Sequence, residues 1–347
     1  MRTARASMAR SERARAWPGL SYPEWQPTCE ALHLWTQVLG KVRMALTVPV
    51  NHWWHVTLRV STRGLTTGPM PFGDRRYELE LDLVDHRLVA TSSDGAQRGF
   101  PLRAMSVAAF LASTLQALRR LGATPAIGTM PQEVPAPVPF ERDDRRRPYD
   151  PGAAGRFGRA LHSVDRAFEA FRGRFTGKSS PSHFFWGGFD LACTRFSGRP
   201  APVHPPVPGV PDRVVREAYS HECASVGFWP GAAFSPRPIL YAYAYPAPAG
   251  FSSARVSPAG AAWDGALGEF VLPWDEVRTA ADPHAAILEF AQSAYEAAAD
   301  LGRWDRAALE RPAIEPAPAA AVADPDRGAR PPEQGSEPDF ANRPILR

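Results

Sequence analysis

Hydrophobic positions along this chain change period several times, and each period predicts an element. Leu32, Trp35 and Leu39 recur at helical spacing, Thr28 can cap the helix they share, and Gly40 would close it. Residues 52–61 alternate apolar and polar, the pattern of a half-buried strand. Residues 77–84 do so more cleanly, with acids between the apolar positions, and Asp85-His86 reads as the turn into a partner strand at 88–91. Ser106 opens a helix carrying Phe110, Leu111, Leu115, Leu118 and Leu121, and Gly122 ends it. Phe157, Leu161, Val164, Phe168, Phe171 and Phe175 follow at spacings of 4, 3, 4, 3 and 4, a helix with a firm apolar stripe. In 239–245, Tyr241, Tyr243 and Tyr245 occupy one face of a strand and Leu240, Ala242 and Ala244 the other. Asp282-Pro283 caps a last helix through Ile287, Phe290, Ala294 and Leu301. No regular strand, turn and helix alternation of the parallel type is present. The predicted class is therefore α+β, antiparallel sheets with amphipathic helices packed on one side.

The 347 residues are 44% hydrophobic and 22% charged, enough for a sizeable core and too apolar for a chain disordered throughout. Residues 20–310 read as a single α+β domain, with the Pro-rich stretch 131–151 as a linker or mobile loop. The Pro/Ala-rich run 311–347 reads as a disordered tail and 1–19 as a disordered Arg-rich leader. Five arginines against Glu12 within the first 16 residues account for the whole net charge of +4, so the basic pI says nothing about the body of the chain. An arm of this kind can touch nucleic acid, but a bland leader is the expectation and no nucleic-acid partner is assigned. No window approaches the ~18 to 20 apolar residues of a membrane span, and the start lacks the apolar core of a signal peptide, so a cytoplasmic protein is expected. Cys29, Cys193 and Cys223 are odd in number and have no C-x-x-C spacing, which argues for neither a disulfide framework nor a zinc site.

Of the 40 basic residues only two are lysine, Lys41 and Lys178, and each precedes a block dense in histidine and aromatics. A chain that uses arginine wherever a positive charge will do and keeps two lysines can be keeping the compact ammonium for chemistry. The first block is Asn51-His52-Trp53-Trp54-His55. On a strand its two histidines diverge, His52 toward the apolar face and His55 toward the polar one, where solvent can reach it. The second runs from Lys178 through His183-Phe184-Phe185-Trp186-Gly187-Gly188-Phe189-Asp190 to Arg195; its paired glycines suggest a close backbone approach to something. Asp190 and Arg195 are isolated charges in an apolar run, either paired with each other or functional. The third is Tyr219-Ser220-His221-Glu222, followed by Phe228-Trp229-Pro230-Gly231. The first two blocks align as a faint repeat, 28–122 against 153–302, as if two α-β-β-β-α halves placed equivalent Lys and His residues around one cleft.

No P-loop, dinucleotide fingerprint, nucleophile elbow or H-E-x-x-H motif occurs, so the classical nucleotide, hydrolase and zincin readings lack support, and any cofactor is unknown. The blocks suit a cleft for a small, anionic molecule, as a binding protein or enzyme. Lys41, Lys178 and Arg195 would supply charge, and His55 or His183 proton transfer. Asp190 or Glu222 would orient a histidine, with Asn51, His52, Trp53, Trp186, His221 and Trp229 lining the site. Two rivals are a protein-interaction module whose aromatics form an interface, and a metal-dependent enzyme using His52, His183, His221 and Glu222 or Asp190. Oligomeric state is not legible.

The segments LHLWTQVLGKVRMALTVPVNHWWH, HFFWGGFDLACTRFSGR and YSHECASVGFWPG, with the later EFAQSAYEAAADLGRWDRAALE, resemble a family of uncharacterised bacterial proteins classified only as a domain of unknown function. The likeness spans roughly 20–310 and implies one bacterial domain. It carries over no activity or site residue.

Overall fold

The computed structural model describes residues 15–231 and 235–311. Most of the leader, all but the first residue of the tail, and 232–234 lie outside them. Trp17, which composition places in the leader, is buried: it packs on Trp274, and the Pro18 carbonyl accepts from the Trp274 indole at 2.8 Å.

Helix α1 (Tyr22–Leu46) runs through both ends that local signals give it, past Thr28 and on beyond Gly40. Its stripe of Leu32, Trp35 and Leu39 is fully buried, with Trp35 stacked on Phe110 of α2 (Val107–Leu121). Gly40 is small for a lateral reason. A Cβ there would sit 2.2 Å from the indole nitrogen of Trp186, which lies against the helix at this point and donates to the Val56 carbonyl at 2.7 Å. The other caps behave as their sequences indicate: Ser106 accepts from Ala109 N–H at the start of α2, and Gly122 closes it at φ 98°.

Between α1 and α2 lies an antiparallel sheet, ordered β1 (Arg59–Val60), β2 (Gly64–Thr66), β4 (Arg75–Asp82), β5 (Arg87–Ser92), β6 (Gln97–Pro101), with β3 (Met70–Phe72) beside β4. The second half is also α+β but has its own element order, with a helix between its strands and three helices after them. Helix α3 (Pro151–Gly173) leads into β7 (His183–Phe185), β8 (Asp190–Pro200), the short α4 (Asp212–Ala218), β9 (His221–Trp229) and β10 (Ile239–Tyr245). Then come β11 (Ala262–Asp264), β12 (Glu269–Pro273), α5 (Trp274–Thr279), α6 (Pro283–Leu301) and α7 (Arg306–Leu309). Its sheet is ordered β11-β12-β10-β9-β8-β7, all antiparallel, with α3 and α6 on one face. Leu58 and Phe184 exchange backbone hydrogen bonds of 3.0 and 2.9 Å, joining the first-strand edges of the two sheets. The α+β class is thus observed, one sheet in each half.

The block-by-block repeat does not extend to local structure. Lys41 lies inside α1 and Lys178 in the loop after α3; His183 is on a strand, whereas residues 51–56 form a 3₁₀ turn rather than the expected strand. His52 and Trp53 adopt φ of 58° and 61°, a left-handed backbone that no strand accommodates. The Pro-rich stretch is also tied down. Phe140 in it is fully buried, and the Gln37 side chain exchanges two 2.8 Å hydrogen bonds with the Gln132 backbone.

Candidate functional site

Strand alternation gives β8 two chemically different faces. Leu191, Cys193 and Arg195 turn toward α3 and α6, while Asp190, Ala192, Thr194 and Phe196 turn the other way. Register extends that second face to Ser225 and Gly227 on β9, to Tyr241 and Tyr243 on β10 and to Glu269 on β12. This face floors a cavity of about 420 Å³. Its walls come from His52-Trp53-Trp54, the 132–133 stretch, the 185–188 turn and the segment 207–219 with α4.

Asp190 is 7% exposed, and its partner is the Tyr241 hydroxyl, which donates to Oδ2 at 2.5 Å. Tyr241 reaches it from two strands away because Gly227 lies between; a Cβ on Gly227 would be 2.1 Å from the phenol ring. The paired glycines make room for a second acid. A Cβ on Gly187 would sit 1.9 Å from Glu133 Oε1, and one on Gly188 would sit 2.7 Å from Asp190 Oδ1 and 3.9 Å from Glu133 Oε2. Glu133 is itself an exposed residue, but its carboxyl end lies against this turn. Glu269 completes the acidic floor, its Oε2 buried without a hydrogen-bond partner.

Burial disfavours charge on all three acids. Desolvation, reinforced by Glu133, pushes Asp190 up to about 7 against the pull of the Tyr241 hydrogen bond. Desolvation and the nearby Asp190 push Glu269 up to about 8, and desolvation raises Glu133. Tyr241 and Tyr243 are held well above the usual phenol value, first by burial and then by neighbouring acidic groups.

Among the expected site residues, His52, Trp53, Trp186, Asp190 and Trp229 line this cavity. His52 Nδ1 donates to the Ala218 carbonyl at 2.9 Å and Nε2 accepts from Lys178 Nζ at 2.6 Å, so both nitrogens are engaged and the ring is neutral. Lys178 stays behind it, 5.4 Å from the Trp54 ring centre.

The other expected site residues lie outside this lining. His55 is buried rather than solvent-facing, its Nδ1 accepting from Val50 N–H at 3.2 Å. His183 lies under Trp54 with 1% exposure, and burial holds it down to about 3, too low for a base near neutral pH. Glu222 orients no histidine; it pairs with Arg199 at 2.6 Å. Arg195 does not meet Asp190. It is fully buried on the opposite face of β8, donating to the Phe171 carbonyl with its guanidinium 3.5 Å from the Phe171 ring centre and 4.4 Å from that of Tyr295. Lys41 is buried in α1, 5.6 Å from the Trp186 ring centre, and Asn51 is exposed outside the cavity lining. His221 stands beside His52, ring centres 5.8 Å apart, with Ser220 Oγ on its Nδ1. Among the described residues no three His, Cys, Asp or Glu side chains are grouped so as to hold a metal ion. Sequence reasoning missed Glu133 and Glu269 altogether, and it named Tyr219, Tyr241 and Tyr243 without placing them in the site.

An antiparallel α+β protein with an acid-floored, aromatic-walled cleft on the uncovered face of its second sheet is the class these features define. The chain belongs to the family described as a family of unknown function (DUF5996), whose model matches residues 17–311. No curated protein and no solved structure matches it. Among the described residues no helix is long and apolar enough to cross a membrane.

Proposed function

We propose that the cleft binds a small organic molecule, as the site of a receptor or of an enzyme. The observation that carries this reading is the cavity of about 420 Å³ with buried carboxyl groups on its floor and indoles on its walls. That volume falls within the range of small-molecule sites, and convergent polar groups on an apolar lining are their usual make-up. Two lining side chains, Trp53 and Glu269, each hold a buried polar atom without a partner, which a ligand would satisfy. The interaction-module reading has less behind it. It needs a flat exposed aromatic patch, whereas the exposed large apolar side chains among the described residues are aliphatic or Met and run from Val48 to Leu301 along the chain. Placement in the cytoplasm accords with three free, buried thiols.

The test is thermal unfolding of the purified protein against small metabolites of positive, negative and zero charge. A ligand at about 100 times its dissociation constant is expected to add ~2.7 kcal/mol of stability. That gain should shrink in Trp53→Ala. No stabilisation by any class, or one indifferent to Trp53→Ala, would turn the search to protein partners.

A further inference from the structure

Lys41, Lys178 and Arg195, which would have held an anion, do not line the cleft. The charges that do line it are carboxyl groups from three separate parts of the chain: Asp190 on β8, Glu269 on β12 and Glu133 on the 132–133 wall. Against them stands one guanidinium, Arg213, exposed and 5.9 Å from the Trp53 ring centre. His52 is neutral, and the Lys178 ammonium bonded to its Nε2 at 2.6 Å is a second positive charge, set behind the wall rather than in the lining. The three acids take part in none of the ion pairs among the described residues. The Tyr241 hydroxyl is the hydrogen-bond partner of Asp190, and Glu269 Oε2 has none.

Buried acids in a fold are either neutralised by a proton or met by a positive charge. Here the place where such a charge would sit is an open cavity. Its floor adds the Tyr241 and Tyr243 rings and its wall Tyr219, aromatic groups that attract cations, while Trp53, Trp54 and Trp186 already have Arg213, Lys178 and Lys41 at 5.9, 5.4 and 5.6 Å from their ring centres. Resting on the reading of the cleft as a ligand site, we infer that it takes a small organic cation, an amine or quaternary ammonium joined to an apolar group, with Asp190, Glu269 and Glu133 as counter-charges.

This differs from binding a neutral ligand through protonated carboxyls in the sign of its proton linkage. A cation binds the ionised acids and expels their protons, so its affinity rises with pH; a hydrogen-bond acceptor needs the protons and loses affinity as pH rises. The groups facing Asp190 and Glu269 across the cavity are Glu133, Tyr219, Tyr241, Tyr243, His52 and Arg213. The tyrosines, held high by burial, do not titrate with the acids near neutral pH, and burial pulls His52 below its ordinary value, away from them.

The experiment is calorimetric titration of the full chain with charge-matched probes: choline against its neutral isostere 3,3-dimethylbutan-1-ol, and phenethylamine against 2-phenylethanol and phenylacetate. Each cation is expected to bind at least about tenfold more tightly than its neutral or anionic counterpart, the worth of one charged contact. Asp190→Asn and Glu269→Gln should each weaken the cations by a similar factor. Choline is charged at every pH, so the wild-type pH dependence reads the protein alone. Affinity should rise from pH about 6 to 9 with proton release, a result that stands even if a variant fails to fold. A neutral or anionic probe binding more tightly, or choline affinity falling with pH, overturns the cation assignment and leaves the ligand site standing. No binding by any probe at millimolar concentration overturns both.

Discussion

Asp190 and Glu269 hold protons to about 7 and about 8, whereas in an unfolded chain carboxyls release them near 4. Between those limits the folded protein binds more protons than the unfolded one, so these acids make stability fall as pH rises. The buried histidines act with the opposite sign. His183, held down to about 3, is neutral in the fold and charged in the unfolded chain at acid pH, so it makes stability rise up to about pH 6.5; His33, His52 and His55 shift the same way. Above that point the histidines are neutral in both states and the acids dominate, joined toward pH about 8.5 by the buried thiols, which burial raises and which act with the same sign. The urea midpoint is expected to drop between pH about 6.5 and 8.5, at up to ~1.4 kcal/mol per pH unit for each proton lost. Asp190→Asn and Glu269→Gln should each flatten that drop. A level wild-type midpoint would mean that the acids titrate normally. Asp190 stood out in the sequence as a charge in an apolar run, but its partner could not be read there. Tyr241 reaches it across a strand, and that pairing exists only once β8, β9 and β10 are in register. Glu133 was hidden for a related reason: the Gly187-Gly188 signal told of a close approach, but nothing local said which group approaches.

At the scale of elements, Gly40 and the turn at 51–56 mark where local rules give way to tertiary ones. In a helix interior, glycine to alanine ordinarily stabilises by up to about 1 kcal/mol. Gly40→Ala is expected to do the reverse, because the new methyl would lie 2.2 Å from the Trp186 indole in a close-packed interior. Overpacking of this kind costs about 1–3 kcal/mol, which outweighs the propensity gain. A lowered melting temperature, with changed Trp186 fluorescence, checks this; a raised one would mean that Trp186 can move aside freely. The same residue explains why the end of α1 was misread, since a glycine needed sideways looks in sequence like a glycine needed to stop a helix. Where the cap alone decides, as at Ser106, Gly122 and Asp282, element ends were legible. The alternation over 52–61 failed because period describes side chains, and the backbone at His52 and Trp53 is fixed by contacts to Ala218 and Arg213, far along the chain. The tyrosine face of β10 survived because a strand in mid-sheet keeps its period whatever surrounds it.

Across the whole molecule, the cleft draws on segments that fold far apart in sequence. The 51–56 turn comes from the first half, Glu133 from the connection between halves, and the floor and the 207–219 wall from the second. The two sheets meet at Leu58 and Phe184, close along the chain to His52 and to the glycine turn, so the cleft lies beside the seam. His52 is the clasp of that arrangement, holding the end of α4 through Ala218 and the second half's lysine through Nε2. The segment it clasps carries few constraints of its own: α4 has seven residues, too short to persist without tertiary support. His52→Asn tests the clasp with little backbone penalty, since asparagine tolerates the left-handed conformation while its shorter side chain cannot reach both partners. Amides of Val214 and Tyr219, which donate to Pro211 and Val215 at 2.8 and 3.0 Å, are expected to exchange faster in the variant. The amides of α3 and α6 should keep their protection, because they pack on the far face of the sheet. Unchanged exchange at Val214 and Tyr219 would show that the wall stands without His52; a loss of protection everywhere would make His52 a support of the whole fold rather than of the cleft.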